Sequence, residues 1–260
     1  MNQATGPHTV NVLIGQIEEA TSRLLRTAAG LSDQQASEQS ALPGWSRGHV
    51  LTHIARNADG LRNLLIWAGT GVVTPQYPSL QARAEQIEAG AGRPAAELAA
   101  DVAESAGAFT AQARELPDDA WQTEVRGSRG QPHPAWFTLH RRLSEVEIHH
   151  CDLAAGYQPA DWPAWFVAEQ LYRVTGEFAS NPATPAVLLT DAGTGRQYLL
   201  RAAVESGREA DAPGGSGQAP PELAVTGPGY LLLAWLLGRH DGAGLAADPA
   251  VPLPAIPPFS

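Results

Sequence analysis

At 260 residues and 27.4 kDa, with 43% hydrophobic content, the chain is one large domain or two small ones, able to bury roughly 70–75% of its unfolded surface. A formal charge of −10 and the lack of any basic stripe exclude nucleic acid and anionic membrane as natural partners, and the longest apolar run, Tyr230–Leu237, is too short to span a bilayer. All 17 basic residues are Arg, which removes Schiff-base and P-loop lysines and leaves bidentate recognition of carboxylates.

A first amphipathic helix is expected over residues 8–29, with Val10, Val12, Leu13, Ile17, Ala20 and Leu24 on its apolar side. Residues 31–43 read as a polar connection. Gly44-Trp45-Ser46 opens a second helix, with Ser46 as N-cap. It runs through His49, His53 and Leu61 to about Ala68 and stops at Gly69-Thr70-Gly71. A third helical region covers residues 80–115, interrupted at Gly90-Ala91-Gly92 and restarted with Pro94 as its N1 residue. Residues 117–134 form a loop holding Trp121, with a short hairpin around Arg126–Gly130. The fourth helix spans about residues 135–155. Four antiparallel helices in this length describe a four-helix bundle.

The composition changes after Gly156. A further helix is expected over residues 162–178, then a β-hairpin from residues 186–190 and 197–201 around Gly193-Thr194-Gly195. Residues 207–221 read as a surface loop and 222–226 as a short strand. Thr226 caps a helix that carries Pro228 in its first turn and ends at Gly238. Residues 249–260, with five prolines, are extended. The expected fold class is α+β with two domains: a bundle over residues 1–158 and a small α+β domain over 159–260. The single cysteine, Cys151, rules out a disulfide within the chain and fits a reducing compartment. The segment MNQATGPHTV lacks the basic and apolar regions of a signal peptide, so a cytoplasmic location is expected.

Two helix-spaced motifs carry the functional signal: His49-x-x-x-His53 and Glu145-x-x-x-His149. At about 100° per residue, His149 lies about 40° and Asp152 about 20° from Glu145, inside the arc shared with Val146, Leu153 and Ile148. Polar groups on an apolar arc need partners, and metal ligation supplies one. On the second helix, His53 lies at the edge of the core arc and His49 on the rim. His53 is therefore the better ligand, and His49 a hydrogen-bond partner or surface residue. Asp152 and Asn57 are placed to orient the imidazoles. His150 reads as a core residue; His8, His133 and His140 read as loop or surface residues. Cys151 points about 160° from His149, which argues against a Cys–His nucleophile and for a structural thiol facing the second domain.

The stretches LPGWSRGHVLTHIARNADGL, SEVEIHHCDL and, near the end, LLGRHDG resemble the mycothiol-dependent maleylpyruvate isomerases over nearly the whole chain. That resemblance implies a DinB-like four-helix bundle joined to a small C-terminal α+β domain. It implies a divalent metal, usually zinc, held by His53, Glu145 and His149, and Arg239 facing the site to bind a carboxylate of the substrate or the cofactor. It implies a small dicarboxylate substrate and mycothiol as partners, and isomerisation of maleylpyruvate to fumarylpyruvate through reversible thiolate addition. A monomer or weak homo-oligomer is expected. Two other readings stand beside it. One is a mycothiol S-transferase, which needs no carboxylate-binding Arg. The other is a non-enzymatic zinc-binding regulatory protein with a closed four-ligand site that uses His49 or Asp152.

Overall fold

The computed structural model describes residues 7–202, 221 and 223–258. The chain divides into two compact units, residues 1–158 and 159–260. The class is α+β: a helical bundle followed by a small α+β unit. Among the described residues no helix is long and apolar enough to cross a membrane.

In the first unit, α1 (Pro7–Ala29), α3 (Arg47–Thr70), α5 (Ala95–Glu115) and α6 (Phe137–Asp152) form the bundle. α1 and α3 each pack against both α5 and α6. The core is built from Leu13, Ile17, Leu24, Leu51, Ile54, Leu61, Leu98, Phe109, Leu139 and Val146, all essentially inaccessible. Burying each such side chain stabilises the fold by about 1.5–3 kcal/mol. Val12 departs from its expected place: it is 44% exposed, and Ile14 occupies the buried stripe.

Local chemistry sets the ends of these helices. Ser46 caps α3: its hydroxyl accepts from the His49 backbone N–H at 3.3 Å. Gly71, in the left-handed region at φ 71°, closes the helix. The connection after α1, read only as polar, contains α2 (Asp33–Ser37). Ser32 and Gln35 form a capping box there, which supplies the missing hydrogen bonds of a single short turn. The third helical region divides into α4 (Leu80–Ala91) and α5. Pro94 is the N-cap of α5 rather than its first helical residue, because its ψ of 146° is extended. The loop before α6 holds a 3-10 turn at Asp118–Gln122 and a small antiparallel pair, β1 (Glu124–Arg126) and β2 (Pro132–Pro134).

In the second unit, α7 (Ala164–Phe178) is followed by β3 (Val187–Asp191), β4 (Gln197–Leu200), β5 (Leu223–Gly227), α8 (Gly229–Leu236) and β6 (Ala246–Asp248). The sheet order is β4-β3-β5-β6, with β3 and β5 parallel and the other pairs antiparallel. Asp191 ties the β3–β4 turn to the start of α8. Its Oδ1 accepts from the N–H groups of Gly193 and Gly229, and its Oδ2 accepts from the Thr194 hydroxyl at 2.6 Å. Thr226 does not cap α8; it lies in β5 opposite Thr190, and Pro228 is the N-cap. The strand β6 lies in a stretch whose small residues gave no strand pattern. The expected loop at 207–220 lies outside the described residues.

Candidate metal centre

The site grows from the facing surfaces of α3 and α6. His53 sits in the second turn of α3, between Thr52 and Ile54, and its side chain is only 5% exposed. Glu145 and His149 lie one turn apart on α6. Their side chains keep 26% and 16% exposure, so the cluster opens to a ligand on the α6 side. His53 Nε2 lies 3.0 Å from Glu145 Oε2 and 3.1 Å from His149 Nε2. His149 Nε2 lies 3.3 Å from the same Glu145 oxygen. Among the described residues, these three donors form the group in which every atom lies within 4.8 Å of the others.

Two imidazoles and one carboxylate are the donor chemistry of a borderline-soft divalent ion. A tetrahedral ion with bonds of about 2.0–2.2 Å holds its donors roughly 3.3–3.6 Å apart, so this triangle need expand only by a few tenths of an ångström. His149 is already oriented for such service. Its Nδ1 is 2.8 Å from Asp152 Oδ2, and the buried Asp152 carboxylate is the acceptor that fixes Nε2 toward the centre.

Electrostatics differentiate the three. Burial lowers His53 to about 4 against the pull of Glu145, so it is neutral. Burial also opposes charge on His149, but hydrogen bonds to Asp152 and Glu145 overcome it and raise the imidazole to about 9. Partial burial works against the Glu145 charge, yet hydrogen bonds from His149 and His53 hold its carboxyl well below the usual range. An imidazolium between two carboxylates is a position that a cation can take over.

His49 does not join the cluster. Its Nδ1 accepts from the Ser46 backbone N–H at 3.2 Å, completing a capping box, and its Nε2 lies 3.2 Å from Glu88. Asn57 was expected to orient an imidazole and does not. Its Oδ1 accepts from Arg142 Nη1 at 3.0 Å, because that guanidinium reaches α3 first and also bonds the Ile54 carbonyl at 2.8 Å. His140, expected at the surface, is buried in the first turn of α6 against Trp136. His150 is buried and bonds Thr27 at 2.8 Å. Cys151 is half-buried and lies outside the donor group. Arg239 belongs to the second unit, just beyond α8, where its Nη1 donates to the Leu237 carbonyl at 2.7 Å.

Two arginines escaped the sequence reading. Arg142 is fully buried. Burial pushes its guanidinium down to about 10 while Glu145 pulls the other way, and its Nε and Nη2 have no hydrogen-bond partner among the described residues. Its signal was available: three residues before Glu145 puts it on the same helical face. Arg83, in α4, lies with Nη2 3.0 Å from His53 Nδ1 and its guanidinium 5.7 Å from the Tyr77 ring centroid. Two glycines of α3 allow that approach. A Cβ on Gly48 would fall 2.1 Å from the Ala91 carbonyl oxygen, and one on Gly60 would fall 2.8 Å from Tyr77 Cε1. Both flanks of α4 therefore dock on α3, with His53 between them.

The sequence pattern of the family described as "Mycothiol maleylpyruvate isomerase N-terminal domain" matches residues 17–154, a span that contains all three donors. Two solved structures are similar over almost the whole chain: a mycothiol-dependent maleylpyruvate isomerase and a mutant of it with one histidine replaced by alanine. Each is 28% identical, with a TM-score of 0.82, and the match covers 96% of this chain and 97% of the other. No curated protein matches the sequence significantly.

Proposed function

The chain belongs to the mycothiol maleylpyruvate isomerase N-terminal-domain family, and from that premise we propose that it is a metal- and mycothiol-dependent enzyme converting maleylpyruvate to fumarylpyruvate by cis–trans isomerisation. The observation that carries this reading is the convergence of His53, Glu145 and His149, with Asp152 behind His149. When bound, the metal, in our reading zinc, supplies Lewis acidity and mycothiol a thiol able to add reversibly to an activated double bond.

The chain's own residues do the holding and orienting. His53, Glu145 and His149 are three ligands, which leaves a coordination position open for chemistry. Asp152 accepts the His149 Nδ1 proton and so fixes which nitrogen faces the metal. Cys151 stands outside the donor group, so the thiol comes from a second molecule. Arg239 binds a carboxylate of the dianionic substrate, a task that its planar donor fork suits. The fourth ligand of a closed site finds little support. His49 is committed to Ser46 and Glu88, and Asp152 to His149. We place the enzyme in the cytoplasm, a reducing compartment in which a thiol cofactor persists.

Metal-loaded protein incubated with maleylpyruvate should form fumarylpyruvate only when mycothiol is present. No turnover at full metal occupancy would sink the isomerase reading, and accumulation of a stable thiol adduct would favour the S-transferase.

A further inference from the structure

The contact between Arg83 and His53 sits oddly with a metal on His53. An arginine side chain has five N–H donors and no acceptor. The 3.0 Å contact from Arg83 Nη2 therefore makes His53 Nδ1 an acceptor and leaves the ring proton on Nε2, where Glu145 Oε2 accepts it at 3.0 Å. A metal on Nε2 reverses this. The neutral ring then carries its proton on Nδ1, and two donors face each other across the same 3.0 Å. Histidines that bind metals give the second N–H to a carboxylate, a carbonyl or water. His149 has that partner in Asp152, whereas His53 has a guanidinium.

The two engagements of His53 are thus mutually exclusive, and the side chain that must yield is Arg83. It is half-buried, on a four-bond stem, near the start of α4. Ala91 at the end of α4 docks against Gly48, and Gln76 and Tyr77, just before α4, dock against Gly60; held at both sides, Arg83 keeps its Cα beside the centre, so a guanidinium that leaves Nδ1 stays within reach of a molecule bound there. The nearby acidic groups are engaged: Glu145 with both histidines and Asp152 with His149. An incoming carboxylate meets Arg83's donors without competition from them.

We propose that Arg83 is a substrate-binding residue that exchanges His53 for a carboxylate of the substrate when His53 takes the metal. This rests on the isomerase reading, and it assigns one carboxylate of the dianion to Arg83. A bidentate guanidinium–carboxylate pair is the stronger partnership, since both members are charged.

The test uses the full chain, with zinc and maleate as probes in titration calorimetry. Zinc should bind R83Q at least as tightly as wild type, because the competing contact is gone. Maleate should bind zinc-loaded wild type and bind zinc-loaded R83Q at least about tenfold more weakly. R83K keeps the charge and the stem and guards against a folding defect; it should fall between the two, because Lys lacks the planar fork. In turnover, R83Q should raise KM more than it lowers kcat. Equal maleate affinity in R83Q and wild type, no maleate binding by zinc-loaded wild type, or zinc binding weakened tenfold in R83Q would each overturn the proposal. Maleate binding needs no turnover, so a protein that binds maleate through Arg83 yet isomerises nothing loses the isomerase reading alone. A protein that isomerises with R83Q kinetics equal to wild type loses only the role of Arg83.

Discussion

Asp152 touches no reacting atom in the proposed mechanism, yet it decides which nitrogen of His149 faces the centre. Asp152→Ala should therefore lower zinc affinity about 10–100-fold without changing the stoichiometry; competition against a chromophoric chelator reads it directly. Proton traffic gives a second handle. His149, raised to about 9, is an imidazolium at neutral pH, whereas His53, lowered to about 4, already carries no charge. A metal needs the neutral form of both, so binding must expel one proton, from His149. Zinc affinity should then climb about tenfold per pH unit from about pH 5 to pH 9, and level off above. An affinity that stays flat between pH 6 and pH 8 would contradict this protonation scheme. At this scale the sequence was readable wherever a side chain's role follows from its own helix. Phase alone put Glu145, His149 and Asp152 together and turned Cys151 away. Arg83 was invisible, because a lone arginine on a half-exposed helix carries no phase relation to a histidine thirty residues earlier. Asn57 was misread for the related reason that its partner, Arg142, arrives from another helix.

The helices impose their own division of labour on the two motif histidines. His49 and His53 are one turn apart, but His49 is the third helical residue of α3 and works on the helix end, where its ring bonds Ser46. Ser46→Ala should cost about 1 kcal/mol of stability, seen as a lower denaturant midpoint. His49→Ala should leave one zinc bound per chain, whereas His53→Ala should abolish tight binding; a metal lost with His49 would reassign the ligand set. Element boundaries were readable where capping chemistry is explicit, as at Ser46 and Gly71. They were missed where a short element draws on little side-chain pattern. The turn of α2 rests on one capping box, and β6 rests on ladder bonds to β5 that small residues do not advertise.

At the level of the molecule, all three donors lie in the first unit and Arg239 in the second. The metal binding and the carboxylate binding proposed for Arg239 are therefore separable experimentally. Zinc at about 100 times its Kd should stabilise the unit holding the donors by about 2.7 kcal/mol. Scanning calorimetry with zinc and with EDTA checks this, and superimposable melting curves would count against the metal assignment. The two-part α+β plan was readable from the change in composition after Gly156. The parallel pairing of β3 with β5 was not, since strand order across a sheet leaves no local mark.

The separation of His53 and Glu145 along the chain, 92 residues, has a mechanical side. An ion gripping both makes a cross-link and turns that interval into a closed ring. A covalent tie around a loop of this length removes about 4–5 kcal/mol of disorder from the unfolded chain in the simple entropic picture. The proposed centre would then act as a clasp as well as a reagent: an ion held by His53 on α3 and by Glu145 and His149 on α6 ties the two helices together, and its removal should loosen that seam.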